Sequence, residues 1–153
     1  MWLSCNKMTP AGVHQRKVCL ISTQTSESSG DQADLREQGT VFMPRFDSAG
    51  LVTAVAVDHA SGRLLMLAHM NAEAIARTRE TGLAHFHSRS RGRLWMKGET
   101  SGHVLRVIEI RVDCDQDALE LRVEAAGPAC HTMAPSCFYR RLDQAGALER
   151  IEG

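Results

Sequence analysis

VLRVIEIRVDCDQDALELRVE, residues 104 to 124, carries two alternating arms around an acidic centre. Val104 to Val112 alternates apolar and polar residues cleanly in its second half. Ala118 to Glu124 alternates again, setting Leu119, Leu121 and Val123 on one face. Strand side chains point to alternate faces, so the two arms predict a hairpin whose turn is Asp113 to Asp117, DCDQD. In an extended chain Ile110, Val112 and Cys114 share one face, while Arg111, Asp113 and Asp115 share the other. Carboxylate oxygen suits hard cations such as Mg²⁺, whereas thiolate sulfur suits Zn²⁺. Opposed faces therefore point to two cation sites rather than one. D-x-D-x-D also opens an EF-hand loop, and Glu124 falls at its twelfth position. The sixth position, which needs glycine, is Ala118, and the flanks read as strands, so that alternative is set aside.

Upstream, Leu51 to Asp58 and Arg63 to Met70 read as strands joined by the turn Asp58-His59-Ala60-Ser61-Gly62. Asn71 is a good N-cap for a helix over Ala72 to Thr81, with Glu73 in its first turn and Gly82 as its stop. Leu83 to Ser88 predicts another strand, and the polar loops SRSRGR and KGETSG flank a short LWM segment. The class is α+β, a mostly antiparallel sheet with one main helix. Residues 1–40 differ: Ser22 to Gly39 is polar, without aromatics or apolar periodicity, and predicts a disordered or loosely attached leader. An alternative start near Met43 would remove it. The domain then spans 41–145, with a short tail over 146–153.

Lys plus Arg and Asp plus Glu each count 18, so no net field favours nucleic acid or an anionic membrane. No apolar run approaches the roughly 20 residues that span a bilayer. The N-terminus lacks the apolar stretch of a secretory signal, so a cytoplasmic protein is expected. There the five cysteines are more often reduced ligands or nucleophiles than disulfides. Cys5 and Cys19 fall in the leader and are given no role. Cys114, Cys130 and Cys137 remain, the last two in GPACHTMAPSCFYR. Three thiolates with one open position make a catalytic zinc; His131 could instead close a structural site or transfer protons. Each cysteine could equally be a small buried hydrophobe. In His87 to Gly102, Arg89, Arg91, Arg93 and Lys97 with several hydroxyls suit phosphate oxygens, unless the run is simply a solvated loop. Trp95 could stack on a base or belong to the core.

SRSRGRLWMKGETSG, DCDQD and GPACHTMAPSCFYR, in that order, resemble the phosphoribosyl-AMP cyclohydrolases of histidine biosynthesis. The likeness runs from about Phe46 to Arg141, and AHMNAEAIARTRETG is similar to the family's helix-bearing stretch. It implies an enzyme that opens the N1–C6 bond of the adenine ring of phosphoribosyl-AMP. It implies Mg²⁺ at Asp113, Asp115 and Asp117, and Zn²⁺ at Cys114, Cys130 and Cys137. It also implies an intertwined homodimer whose zinc site draws on both chains. His69 and His87 stand where aromatic residues are usual, and His103 replaces a common asparagine.

Zinc held by three thiolates lowers the pKa of a water toward neutrality, making hydroxide available to attack C6. His131, next to a zinc ligand, is the expected acid–base at N1. Arg89, Arg91, Lys97, Glu99, Thr100 and Ser101 are the expected substrate contacts. Two other classes use the same residues: a zinc-stabilised binding module closed by His131, and a nucleic-acid binder built on SRSRGR and Trp95. Neutral charge opposes the second.

Overall fold

In chain order the elements are α1 (Ser29–Gln38), β1 (Val52–Asp58), β2 (Leu64–Met70), α2 (Ala72–Thr81), β3 (His85–Ser88), β4 (Arg93–Met96), β5 (Leu105–Val112), β6 (Ala118–Ala125), β7 (Arg140–Leu142) and β8 (Leu148–Arg150). They come from a computed structural model that describes residues 29–151. Residues 1–28, with Cys5 and Cys19, lie outside the described residues, as do the last two positions of the tail.

The alternating hairpin forms, with β5 antiparallel to β6 and Leu119, Leu121 and Val123 all buried. A bulge between Val107 and Glu109 leaves Ile108 exposed on β5. Extended geometry ends at Val112, and residues 113–117 form a turn with Gln116 at φ 60°. Strand parity therefore stops short of Cys114 and the aspartates, whose directions are set by the turn.

The sheet has six strands in the order β4-β3-β2-β1-β6-β5. Every pair is antiparallel except β1 with β6, which run parallel from Thr53–Ala118 to Asp58–Val123. The sheet curls until its β5 edge meets the chain entering β3. Ala84 N donates to Leu105 O at 3.0 Å and Val107 N to Gly82 O at 2.8 Å. Phe86, Met70, Leu105, Leu119 and Leu121 fill the interior, each fully buried. Burying such a side chain stabilises the fold by roughly 1.5–3 kcal/mol.

Helix α2 keeps its expected bounds because both ends are capped as the sequence specifies. The Asn71 side chain accepts from Ala74 N at 2.8 Å, and Gly82, left-handed at φ 69°, donates its N–H to Thr78 O. Ala74, Ile75 and Thr78 face the sheet, and Thr78 Oγ1 accepts from His85 N at 3.0 Å.

Three features depart from expectation. Among the described residues a second helix joins the expected main one: α1 lies inside the stretch expected as a loose leader, and Gln116 Nε2 donates to Arg36 O at 2.8 Å. LWM is part of strand β4, paired with β3. The boundary expected at 145–146 falls inside the β7–β8 turn, where Asp143 Oδ1 accepts from Ala147 N at 2.7 Å. Among the described residues no helix is long and apolar enough to cross a membrane.

Candidate active site

Two loops line a cavity of about 480 Å³. The first, Lys97 to Gly102, is the tight return between β4 and β5. Lys97 N donates to Ala84 O at 2.9 Å, Gly102 N to Gly98 O at 2.9 Å, and Lys97 Nζ to His103 O at 3.1 Å. Gly98 sits at φ 85°, and a Cβ there would fall against the His103–Val104 backbone. Only glycine fits that combination. The second loop, Pro128 to Cys137, is stitched to β2: Cys137 N donates to Leu65 O and Ser136 Oγ to Leu64 O, both at 2.7 Å. A turn at its tip sends Met133 N to Cys130 O at 3.1 Å, with Met133 at φ 65°.

The thiols of Cys130 and Cys137 are neighbours in this cavity, and their environments differ. Cys130 is buried, and the Thr132 hydroxyl donates to its sulfur at 3.1 Å, which pulls its pKa below the usual thiol value. Cys137 is open to solvent on part of its surface. Burial of its thiol, and then the adjacent Cys130, push its pKa up to about 11. Burial lowers the pKa of Lys97, while Cys137 and Cys130 oppose that shift. A cation beside two thiols compensates the charge they acquire as thiolates. Exposed His131 brings Nδ1 to 3.9 Å from Cys130 Sγ.

The acidic turn is built differently. One carboxylate oxygen from each of Asp113, Asp115 and Asp117 lies within 4.8 Å of the others. Three hard oxygen donors so placed fit a divalent cation such as Mg²⁺. Arg45 Nη2 pairs with both Asp115 Oδ2 and Asp117 Oδ2, the second at 2.6 Å. The bond to Asp117, and then the charge of Asp115, raise the guanidinium pKa above its ordinary value. Asp113 Oδ1 instead accepts from Ala118 N at 3.0 Å, closing the turn. Gln116 is buried and clips the preceding segment down. Its Nε2 donates to Arg36 O and Val41 O, its Oε1 accepts from Met43 N, and its carbonyl accepts from Arg45 N.

The predicted residues thus divide. The cavity brings together Cys130, Cys137, His131, Arg91, Lys97 and the run Glu99 to Ser101. Arg89 is not among its lining residues. Cys114 lies in a separate hollow beside Val41, Phe42 and Val112, away from the other two thiols within one chain. Trp95 packs on the core, its ring centroid 5.2 Å from that of Phe86, and it also lines the cavity. His69 lines a third hollow with Arg45 and Asp117. Burial, then Arg89, lower its pKa, while Asp47 opposes them. His87 Nδ1 lies 3.2 Å from Asn71 Nδ2. His103, by contrast, borders the cavity, with its ring so close to Gly127 that a Cβ there would sit 2.7 Å from Cδ2. Sequence reasoning missed the cavity wall formed by Met66, Met96 and Met133, and the Arg45 pairing; no local pattern announces either.

The sequence profile of phosphoribosyl-AMP cyclohydrolase matches residues 66–139, which hold both loops, the turn and all three thiols. A phosphoribosyl-AMP cyclohydrolase of Rhizorhabdus wittichii is 68% identical over 111 residues, 72% of this chain and 90% of that protein. Those of Rhodopseudomonas palustris and Sphingopyxis alaskensis are 59% identical over 123 residues and 66% over 107. These cover 80% and 70% of this chain, and 84% and 85% of the relatives. Fold, site and relatives define the class as an enzyme, a hydrolase. The chain belongs to the phosphoribosyl-AMP cyclohydrolase family.

Proposed function

We propose that the protein hydrolyses the N1–C6 bond of the adenine ring of phosphoribosyl-AMP, a step of histidine biosynthesis, in the cytoplasm. One observation carries the reading. A single cavity holds two of the three thiols, His131 and five of the six expected substrate contacts, with only Arg89 outside it.

Cys130 and Cys137 would hold zinc together with Cys114 of a second chain in a homodimer. Within one chain Cys114 opens onto a different hollow, which supports that division. Exposed Ile108 and Val112 on the edge strand β5 give a second chain apolar surface to cover. Zinc, when bound, supplies the Lewis-acid chemistry that makes water a nucleophile near neutral pH.

The chain's own residues do the rest. His131, exposed beside Cys130, carries a proton to N1 as the ring bond breaks. Lys97 and Arg91 supply positive charge for substrate oxygens; Ser88 Oγ, 3.3 Å from Arg91 Nε, holds the arginine stem. Glu99, Thr100 and Ser101 orient the ribose and base edge, and the methionines with Trp95 keep water from the ring. Asp113, Asp115 and Asp117 would hold Mg²⁺, which would supply positive charge for substrate oxygens.

Purified protein incubated with phosphoribosyl-AMP, Zn²⁺ and Mg²⁺ should open the ring, followed by ultraviolet absorbance. Folded, metal-replete protein without turnover would contradict the assignment.

A further inference from the structure

We propose that Arg45 is a resident counter-ion of the aspartate turn, displaced when a divalent cation takes the same oxygens, and that it thereby sets the site's metal affinity. This rests on the reading of Asp113, Asp115 and Asp117 as a divalent-cation site.

Three carboxylates with oxygens within 4.8 Å of one another repel, and a turn that holds them together needs positive charge. Arg45 provides it through one nitrogen, Nη2, shared by Asp115 and Asp117. Its place is not left to chance. Arg45 N donates to Gln116 O at 2.7 Å, and buried Gln116 anchors residues 36–43 by its side chain. The backbone is therefore clipped to the turn while the guanidinium stays free to move, its side chain 50% exposed. A divalent cation and the guanidinium compete for the same lone pairs, and they also repel each other. The guanidinium has somewhere to go: a hollow of about 360 Å³ that it lines with Thr53 and His69. Metal uptake then exchanges one cation for another.

The exchange gives Arg45→Gln effects of opposite sign. Without metal, three carboxylates lose their counter-ion and the protein melts lower. With metal, a competitor is gone and binding tightens. A merely structural arginine would lower the melting temperature in both states and leave metal affinity unchanged or weaker.

The test is Mn²⁺ binding to the zinc-loaded full chain, read by electron paramagnetic resonance, with melting of that protein before Mn²⁺ is added and in saturating Mn²⁺. Arg45→Gln should bind Mn²⁺ roughly five- to tenfold tighter, as expected for losing a partly exposed ionic competitor. Its melting deficit should be present without Mn²⁺ and absent in saturating Mn²⁺. Arg45→Lys keeps the charge but not the planar geometry, and should tighten binding only about two- to threefold. It also serves if the glutamine variant does not fold. Equal or weaker Mn²⁺ binding by folded variants overturns the proposal. Asp115→Asn separates the failures. If it abolishes binding while Arg45→Gln changes nothing, only the role of Arg45 falls. If wild type and every variant fail to bind, the aspartate site falls and the role of Arg45 with it.

Discussion

The loop around Cys130 and the turn around Gln116 both gather metal-ligating side chains, yet they do so by opposite means. The first shelters its sulfurs: Cys130 is buried, and the loop is sewn to the core strand β2 by backbone and serine hydrogen bonds. The second leaves Asp113 and Asp117 exposed and balances their charge with an arginine from seventy-odd residues earlier in the chain. Soft ligands tolerate an apolar setting, whereas exposed carboxylates hold a fixed arrangement only if their repulsion is answered. One chain thus presents two differently built environments, with Cys130 and Cys137 in the first and Cys114 in the second.

If the sheltered loop is the chemical centre, Cys130→Ser should cause the largest loss. Zinc content and ring-opening activity should fall together, the activity by at least about a thousandfold, as for removal of a metal-based nucleophile. Full activity at stoichiometric zinc loss would refute the zinc role. Gly98→Ala tests the architecture on the same side. It forces a side chain into φ 85° and against backbone, and should cost about 2–4 kcal/mol in urea denaturation. A change below measurement error would show that the loop relaxes freely.

On the acidic side, Gln116→Ala removes side-chain bonds to Arg36, Val41 and Met43. The expected loss is about 2–3 kcal/mol, with faster proteolysis near residue 40. Stability and proteolysis equal to those of the unsubstituted chain would show that the Gln116 side chain does not hold that segment down. The smallest effect lies at the β1–β2 turn. The Ser61 hydroxyl, then its backbone N–H, hold the Asp58 carboxyl below its ordinary value. A depressed folded pKa gives stability present above the unfolded value and lost as pH falls through the folded one. Ser61→Ala should therefore cost a few tenths of a kcal/mol above about pH 5, and the difference should shrink in more acid solution. A difference that grows on acidification would reverse the sign.

What the sequence made legible was local. Asn71 and Gly82 bounded α2, and the alternation of Val104–Val112 and Ala118–Glu124 specified the hairpin, because caps and periodicity act over a few residues. The parallel β1–β6 pairing was not legible, since it joins residues 65 positions apart, Thr53 with Ala118 for example, and alternation does not name a partner. Helix α1 was missed because it buries little: Leu35 is exposed, so no apolar stripe marks it. The short LWM segment between its loops was left unassigned because the place of β4 comes from register with β3, Phe86 opposite Trp95. At the site, residue types and spacing gave the ligand candidates. The shared cavity and the Arg45 clip arise from folding, and neither leaves a local signature.

The central claim joins the two regions across a dimer: Cys114 of one chain completes the thiols of its partner. The direct measurement is a mixed dimer of Cys114→Ser and Cys130→Ser chains, coexpressed with different tags and purified through both. Each variant alone should lack zinc and activity. In the mixed dimer one site assembles entirely from unsubstituted cysteines, so about half the wild-type zinc and activity should return. A pure mixed dimer as inactive and zinc-free as its parents would contradict the shared site.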